Sequence, residues 1–90
     1  MPIGYDIDLL CDAVTFATEG YTINQRDLQR GIRVGFVKAQ RLLLLMGDYG
    51  ITTTPGSRQE SRMVLLTKDQ VPGKLAELRE IASKEASDAV

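Results

Sequence analysis

Leu28-Gln29-Arg30-Gly31-Ile32-Arg33-Val34-Gly35-Phe36-Val37-Lys38-Ala39-Gln40-Arg41-Leu42-Leu43 is the stretch that decides the fold. It reads as a short helix, a tight turn and a second helix with Lys38 and Arg41 on its outer side. Gly31 closes the first helix within two turns, and the β-branched Ile32 and Val34 around Arg33 suit a bend between crossing helices. A helix-turn-helix lets one helix enter the DNA major groove while the other braces it on the backbone.

Working outward, Asn24 starts the short helix, with Asp27 at the third helical position of a capping box and Ile23 and Leu28 placed as a hydrophobic staple. Upstream, Asp6 or Asp8 caps a helix running to about Thr18, along which Leu10, Ala13, Val14 and Ala17 recur at helical spacing. Glu19-Gly20 ends it. The recognition helix is expected from about Gly35 to Gly47. Phe36, Ala39, Leu42, Leu43 and Met46 form its packing stripe, and Val37, Lys38, Arg41, Leu44 and Leu45 lie opposite. Asp48-Tyr49-Gly50 breaks the helix. Ile51 to Thr54 then reads as a strand, Thr54-Pro55-Gly56-Ser57 as a turn, and Arg62 to Thr67 as the returning strand.

Three helices followed by a hairpin make a winged helix-turn-helix, mainly α with a small β-hairpin. A further helix is expected from Asp69 to about Ala86, starting nearer Pro72, with Val71, Leu75, Leu78 and Ile81/Ala82 along one ridge. The expected organisation is an N-terminal tail over 1–5, a winged-helix DNA-binding domain over 6–67 and a C-terminal helical extension over 68–90.

The chain has 90 residues, 11 Lys+Arg against 12 Asp+Glu, and a pI of about 5.3. A net charge of −1 lacks the overall basic signature of a nucleic-acid binder. Its distribution is polarised, however. Residues 1–25 hold four acids and no base, residues 26–62 hold seven bases against three acids, and residues 63–90 hold four bases against five acids. The base-rich block coincides with the helix-turn-helix.

Without histidine, and with Cys11 as its single cysteine, the chain has no zinc ligand set and no intrachain disulfide. Cys11 reads as a small apolar residue, since a catalytic thiol needs a base beside it. Asp6, Asp8 and Asp12 read as helix-start residues favoured by the dipole. Asp6 and Asp8 also interrupt the apolar run before Cys11, which argues against a lipoprotein signal. The longest apolar run, Leu42 to Met46, is far short of a membrane span. No G-x-x-x-x-G-K-[ST] run is present. No catalytic residue, cofactor or metal is expected, and the location expected is cytoplasmic and nucleoid-associated.

The helix-turn-helix run resembles the γ domain of FtsK/SpoIIIE DNA translocases, whose pattern is close to L-Q-R-x-[LF]-R-I-G-Y-N-R-A-A-R-L. Asp12-Ala13-Val14-Thr15-Phe16 is similar to the family's D/E-A-V-x-F, and Leu42, Leu43, Met46, Gly50 and Ile51 fall on family positions. The likeness covers residues 9–67. It implies a winged-helix DNA reader, here without the motor domain, of a kind that recognises short G-rich polarity sequences and touches a tyrosine recombinase.

Three departures qualify what carries over. The family's Asn-Arg at the start of the recognition helix is Val37-Lys38 here, with the later Arg kept as Arg41. A family acidic pair has become Leu44-Leu45. The chain also continues past the wing, and the last helix is expected to cover those two leucines in the same subunit or a partner.

The leading expectation is a non-catalytic, sequence-specific binder of double-stranded DNA acting as a small regulator or architectural factor. Arg30, Arg33, Arg58 and Arg62 would grip phosphates, with Val37, Lys38 and Arg41 at base edges. Leu44, Leu45, Leu75, Leu78 and Ile81 would form the helix cover or the seam of a homodimer. One alternative is a protein-interaction winged helix engaging a recombinase or another DNA-processing machine. Another is an excised C-terminal domain of an FtsK-like translocase, although Met1 standing just before the first helix favours a separate gene product.

Overall fold

The structure, a computed structural model, describes residues 3–53 and 61–88. A 3-10 turn over Gly4–Asp6 leads into α1 (Ile7–Ala17), followed by β1 (Thr22–Ile23), α2 (Gln25–Gly31), α3 (Phe36–Asp48), β2 (Arg62–Met63) and α4 (Val71–Asp88). This is the expected winged helix-turn-helix with an added helix. The wing's turn lies outside the described residues. Its two arms are joined beyond β2 by a Thr52–Val64 bridge and by Leu65 N–H donating to the Ile51 carbonyl at 2.9 Å.

β1 is the element that pattern reading missed. Thr22 pairs with Met63 and Ile23 with Arg62, so β2 lies between β1 and the Ile51–Thr53 arm. Two residues are too few for an alternating pattern, and the same Ile23 also serves as the staple before α2. Ile23 and Leu28 are both buried. The capping box is present as well. Asn24 Oδ1 accepts from Asp27 N–H at 2.8 Å and Asp27 Oδ2 accepts from Asn24 N–H at 3.1 Å.

α2 ends against an aromatic ring. A Cβ on Gly31 would fall 2.3 Å from Phe16 Cζ, so the ring of α1 occupies the space that any other residue would need. The turn then passes through Arg33 at φ 55°, the left-handed region that non-glycine residues seldom occupy. α3 starts at Phe36, and Gln25 Nε2 of α2 donates to the Phe36 carbonyl at 3.2 Å, tying the two helix starts together.

The core collects Leu10, Ala13, Val14 and Ala17 of α1, Leu28 of α2, Ala39, Leu42, Leu43, Leu45 and Met46 of α3, Ile51, and Leu78 of α4. Cys11 is buried too, and burial pushes its thiol above the ordinary range. Two members change the expected arrangement. Ile3, in the segment read as a tail, is fully buried, and so is Leu45, read as solvent-facing. Leu45 shares a helical stripe with Lys38 and Arg41, which the N-terminal turn covers through Asp6. Leu44 stays 43% exposed. Phe36, expected in the packing stripe, is 61% exposed, because at the first residue of α3 it lies beyond the elements that cover the rest.

α4 packs mainly on α1. Leu78 is buried, with Leu75, Ile81 and Ala82 partly buried beside it. Its start combines a 3-10 turn at Lys68–Gln70, where Gln70 Oε1 accepts from Thr67 N–H at 3.0 Å, with Pro72 in the first turn. The ridge expected to seal α3 or a partner is used on α1 of the same chain. No helix among the described residues is long and apolar enough to cross a membrane.

Two substitutions test this packing. Gly31→Ala should lower stability by about 1–3 kcal/mol through the clash with Phe16, read as a lower urea midpoint at unchanged slope. An unchanged midpoint would mean that the ring moves aside freely. Leu78→Ala should cost about 2–5 kcal/mol, whereas Leu44→Ala should stay within about 0.5 kcal/mol. Equal losses in thermal melts would restore Leu44 to the covered surface.

Candidate nucleic-acid interface

The outward face of α3 is set by its 3.6-residue period. Ala39, Leu42, Leu43, Leu45 and Met46 turn into the core, leaving Val37, Gln40, Leu44 and Asp48 along the solvent ridge. Val37 is 76% exposed. The centre of the ridge is therefore uncharged, and the two bases of α3 lie on its flank. That flank is occupied. Lys38 Nζ sits 2.6 Å from Asp6 Oδ1, and Arg41 Nε sits 2.5 Å from Asp6 Oδ2. Arg41 Nη2 also donates to the Ile3 carbonyl at 3.3 Å.

Asp6, expected with Asp8 as a candidate cap of α1, makes no side-chain cap bond to that helix. Both oxygens are taken by Lys38 and Arg41, which are stronger donors than a backbone N–H. The Lys38 hydrogen bond, reinforced by Arg41, holds the Asp6 carboxyl below the ordinary carboxylate range against the opposing effect of its own burial. The same N-terminal turn is held from the other side by Glu85 of α4. Its Oε2 accepts from Ile3 N–H at 2.9 Å and from Gly4 N–H at 3.3 Å. Tyr49 at the end of α3 donates to Glu85 Oε1 at 3.4 Å.

The remaining bases fall into three groups. Arg30, at the end of α2, and Arg33, in the turn, are exposed. Arg62 of β2 is half-buried and donates through Nη1 to the Leu43 carbonyl of α3, and loss of solvent around it lowers its pKa. Arg58 lies outside the described residues. Sequence reading passed over Arg26, Gln29 and Gln40, which the fold gathers with Phe36 around an open groove between α2, α3 and β2. The signal for Gln40 was its i+3 spacing from Val37 on the exposed ridge. In the sequence Arg26 counts only toward the base-rich block of residues 26–62.

Against known proteins, the chain is 40% identical over 77 residues to the DNA translocase FtsK of Streptomyces avermitilis, a match covering 86% of this chain and 8% of that protein. It is 39% identical over 77 residues to FtsK of Mycobacterium tuberculosis, covering 86% of this chain and 9% of the relative. With FtsK of Mycobacterium leprae the identity is 36% over 86 residues, covering 96% of this chain and 10% of the relative. The chain is homologous to a segment of the FtsK DNA translocases. It spans about a tenth or less of the length of these FtsK relatives. No protein-family model matches the chain, and no solved structure matches it. The FtsK homology agrees with the γ-domain resemblance carried by the helix-turn-helix run, which forms the α2–turn–α3 unit of the structure.

The Asp6 clasp has a definite pH signature. A carboxyl whose folded pKa is lowered stabilises the fold above its unfolded value, about 3.9, and that contribution is lost as pH falls through the lowered folded value. Asp6→Asn should cost about 2 kcal/mol at neutral pH by removing two charge-assisted bonds. The difference between wild type and variant in urea unfolding should shrink on acidification below about pH 4. A gap that persists unchanged at low pH would assign the loss to packing rather than charge.

Proposed function

We propose that this chain is a non-catalytic DNA-binding module that places α3 in the major groove of a duplex. The observation that carries this reading is the homology to a segment of a DNA translocase, joined to a helix-turn-helix whose recognition helix has an open outer ridge. Arg30 and Arg33 stand exposed beside that ridge, where guanidinium groups meet phosphates. Val37 offers methyl groups suited to a thymine methyl. Lys38 and Arg41 lie on the flank of α3, where Asp6 holds them toward the N-terminal turn, and Arg62 lies on the wing side. In this role the protein acts as a small regulator or architectural factor of the nucleoid, with sequence preference set along α3. The family's G-rich target does not transfer, because Val37 and Lys38 replace the Asn-Arg pair.

A second reading, docking onto a recombinase or another protein of DNA processing, is favoured by the exposed apolar side chains Phe36, Val37 and Leu44 on α3. The two readings separate in one measurement. Selection of bound sequences from random duplex DNA should enrich a defined site, and no enrichment together with no duplex binding at low salt would favour the protein partner.

Arg33 gives the sharper test, because its two roles oppose each other. Glycine at this left-handed position relieves strain, so Arg33→Gly should leave stability unchanged or raise it by up to about 1 kcal/mol. The same change should weaken binding to all duplexes alike and reduce the dependence on salt by about one phosphate contact. Retained affinity and salt slope in fluorescence anisotropy would remove Arg33 from the interface.

A further inference from the structure

The groove beside α3 has chemistry that the basic motif does not explain. Arg26 and Gln29 of α2 line one wall, Gln40 and Phe36 of α3 the other, and Arg62 of β2 closes one end. Among the described residues, no carboxylate lines it. Its shape is held by two side-chain bonds to main-chain carbonyls, Gln25 to Phe36 and Arg62 to Leu43. Those bonds engage Gln25 and Arg62 and leave Arg26 and Gln40 exposed at the rim. On the opposite flank of α3, Lys38 and Arg41 share the single carboxylate of Asp6 and are held toward the N-terminal turn. The α2 side of the recognition helix thus carries Arg26 and Arg62 with polar carboxamides between them.

We infer that Gln40 is the base-reading residue of this module, selecting an adenine in the major groove, and that Arg26 and Gln29 receive the backbone of the same duplex in the groove. The inference rests on the DNA-binding reading and names the residues that give it specificity. A carboxamide presents one donor and one acceptor side by side, the pair that matches adenine N7 and N6. Gln40 projects from the middle of the exposed ridge, one turn beyond Phe36, while the helix-start bond from Gln25 holds α3 against α2. Arg26, across the groove, supplies a cation that no residue lining the groove neutralises. Val37, one turn back on the same ridge, adds an apolar neighbour suited to thymine.

The test begins with sequence selection by the full chain from random duplex DNA, followed by affinity measurements on the enriched site with each base pair varied. Gln40→Ala should lose discrimination at one A·T position, by on the order of tenfold, with little change on random duplex. Gln40→Glu should move the preference at that same position from adenine to cytosine, because a carboxylate accepts from cytosine N4. Arg26→Gln should weaken all duplexes alike and lower the salt slope by about one contact. Gln40 and Arg26 are exposed, so matching thermal melts will exclude misfolding as the cause. If wild type enriches a site but both Gln40 variants keep its full base preference, this inference fails while DNA binding stands. If wild type shows no duplex binding at low salt, the underlying reading fails and takes the inference with it.

Discussion

The structure depends on helix α1 having more apolar surface than one neighbour covers. Leu10, Cys11, Ala13, Val14 and Ala17 are buried, and Ile7, Leu9 and Phe16 are partly so, a face much wider than a single stripe. α2 and α3 cover part of it and α4 covers the rest. A ninety-residue chain has little core to spare, so leaving one side of α1 in water would forfeit a large fraction of its net stability. The added helix is accordingly part of the domain, with Leu78 continuous with the core of the winged helix.

Covering α1 also determines what happens to the chain before it. Ile3 enters the core, and the polar groups of that turn are met from two directions, by Glu85 of α4 and by Lys38 and Arg41 of α3. Buried carboxylates and backbone N–H groups are costly unless paired. The pairing that satisfies Asp6 redirects the two bases of the recognition helix toward the protein's own N-terminal turn. A motif that looks positively charged in sequence thereby presents a largely neutral ridge, with its exposed guanidinium groups on α2 and the connecting turn.

That redistribution bears on the departures from the FtsK pattern. Leu45 needs no external cover, because it falls on the stripe that the N-terminal turn occupies, whereas Leu44 remains on the solvent ridge next to Val37 and Gln40. The two leucines that replace an acidic pair therefore have different physical meanings. One deepens the core, and the other changes the character of the surface that would face a partner. On the proposed reading, specificity shifts from charged residues at the start of α3 toward its middle and toward the groove beside α2.

Local interactions were legible in the residues themselves. The Asn24–Asp27 capping box, the staple of Ile23 and Leu28, the end of α2 at Gly31, the packing of Ala39, Leu42, Leu43 and Met46 of α3 and the ridge of α4 are short-range patterns, and each appears in the structure. They are legible because backbone geometry places residues three and four apart on one face, whatever lies elsewhere in the chain. The tertiary structure alone decided which faces meet. It put α4 on α1, paired the two-residue β1 with β2, seated Phe16 against Gly31 and brought Asp6 to residues 32 and 35 positions further along the chain. The physical reason is that such contacts depend on how bulk and charge are shared among elements distant in sequence. No local pattern records that an aspartate before one helix will pair with the bases of another.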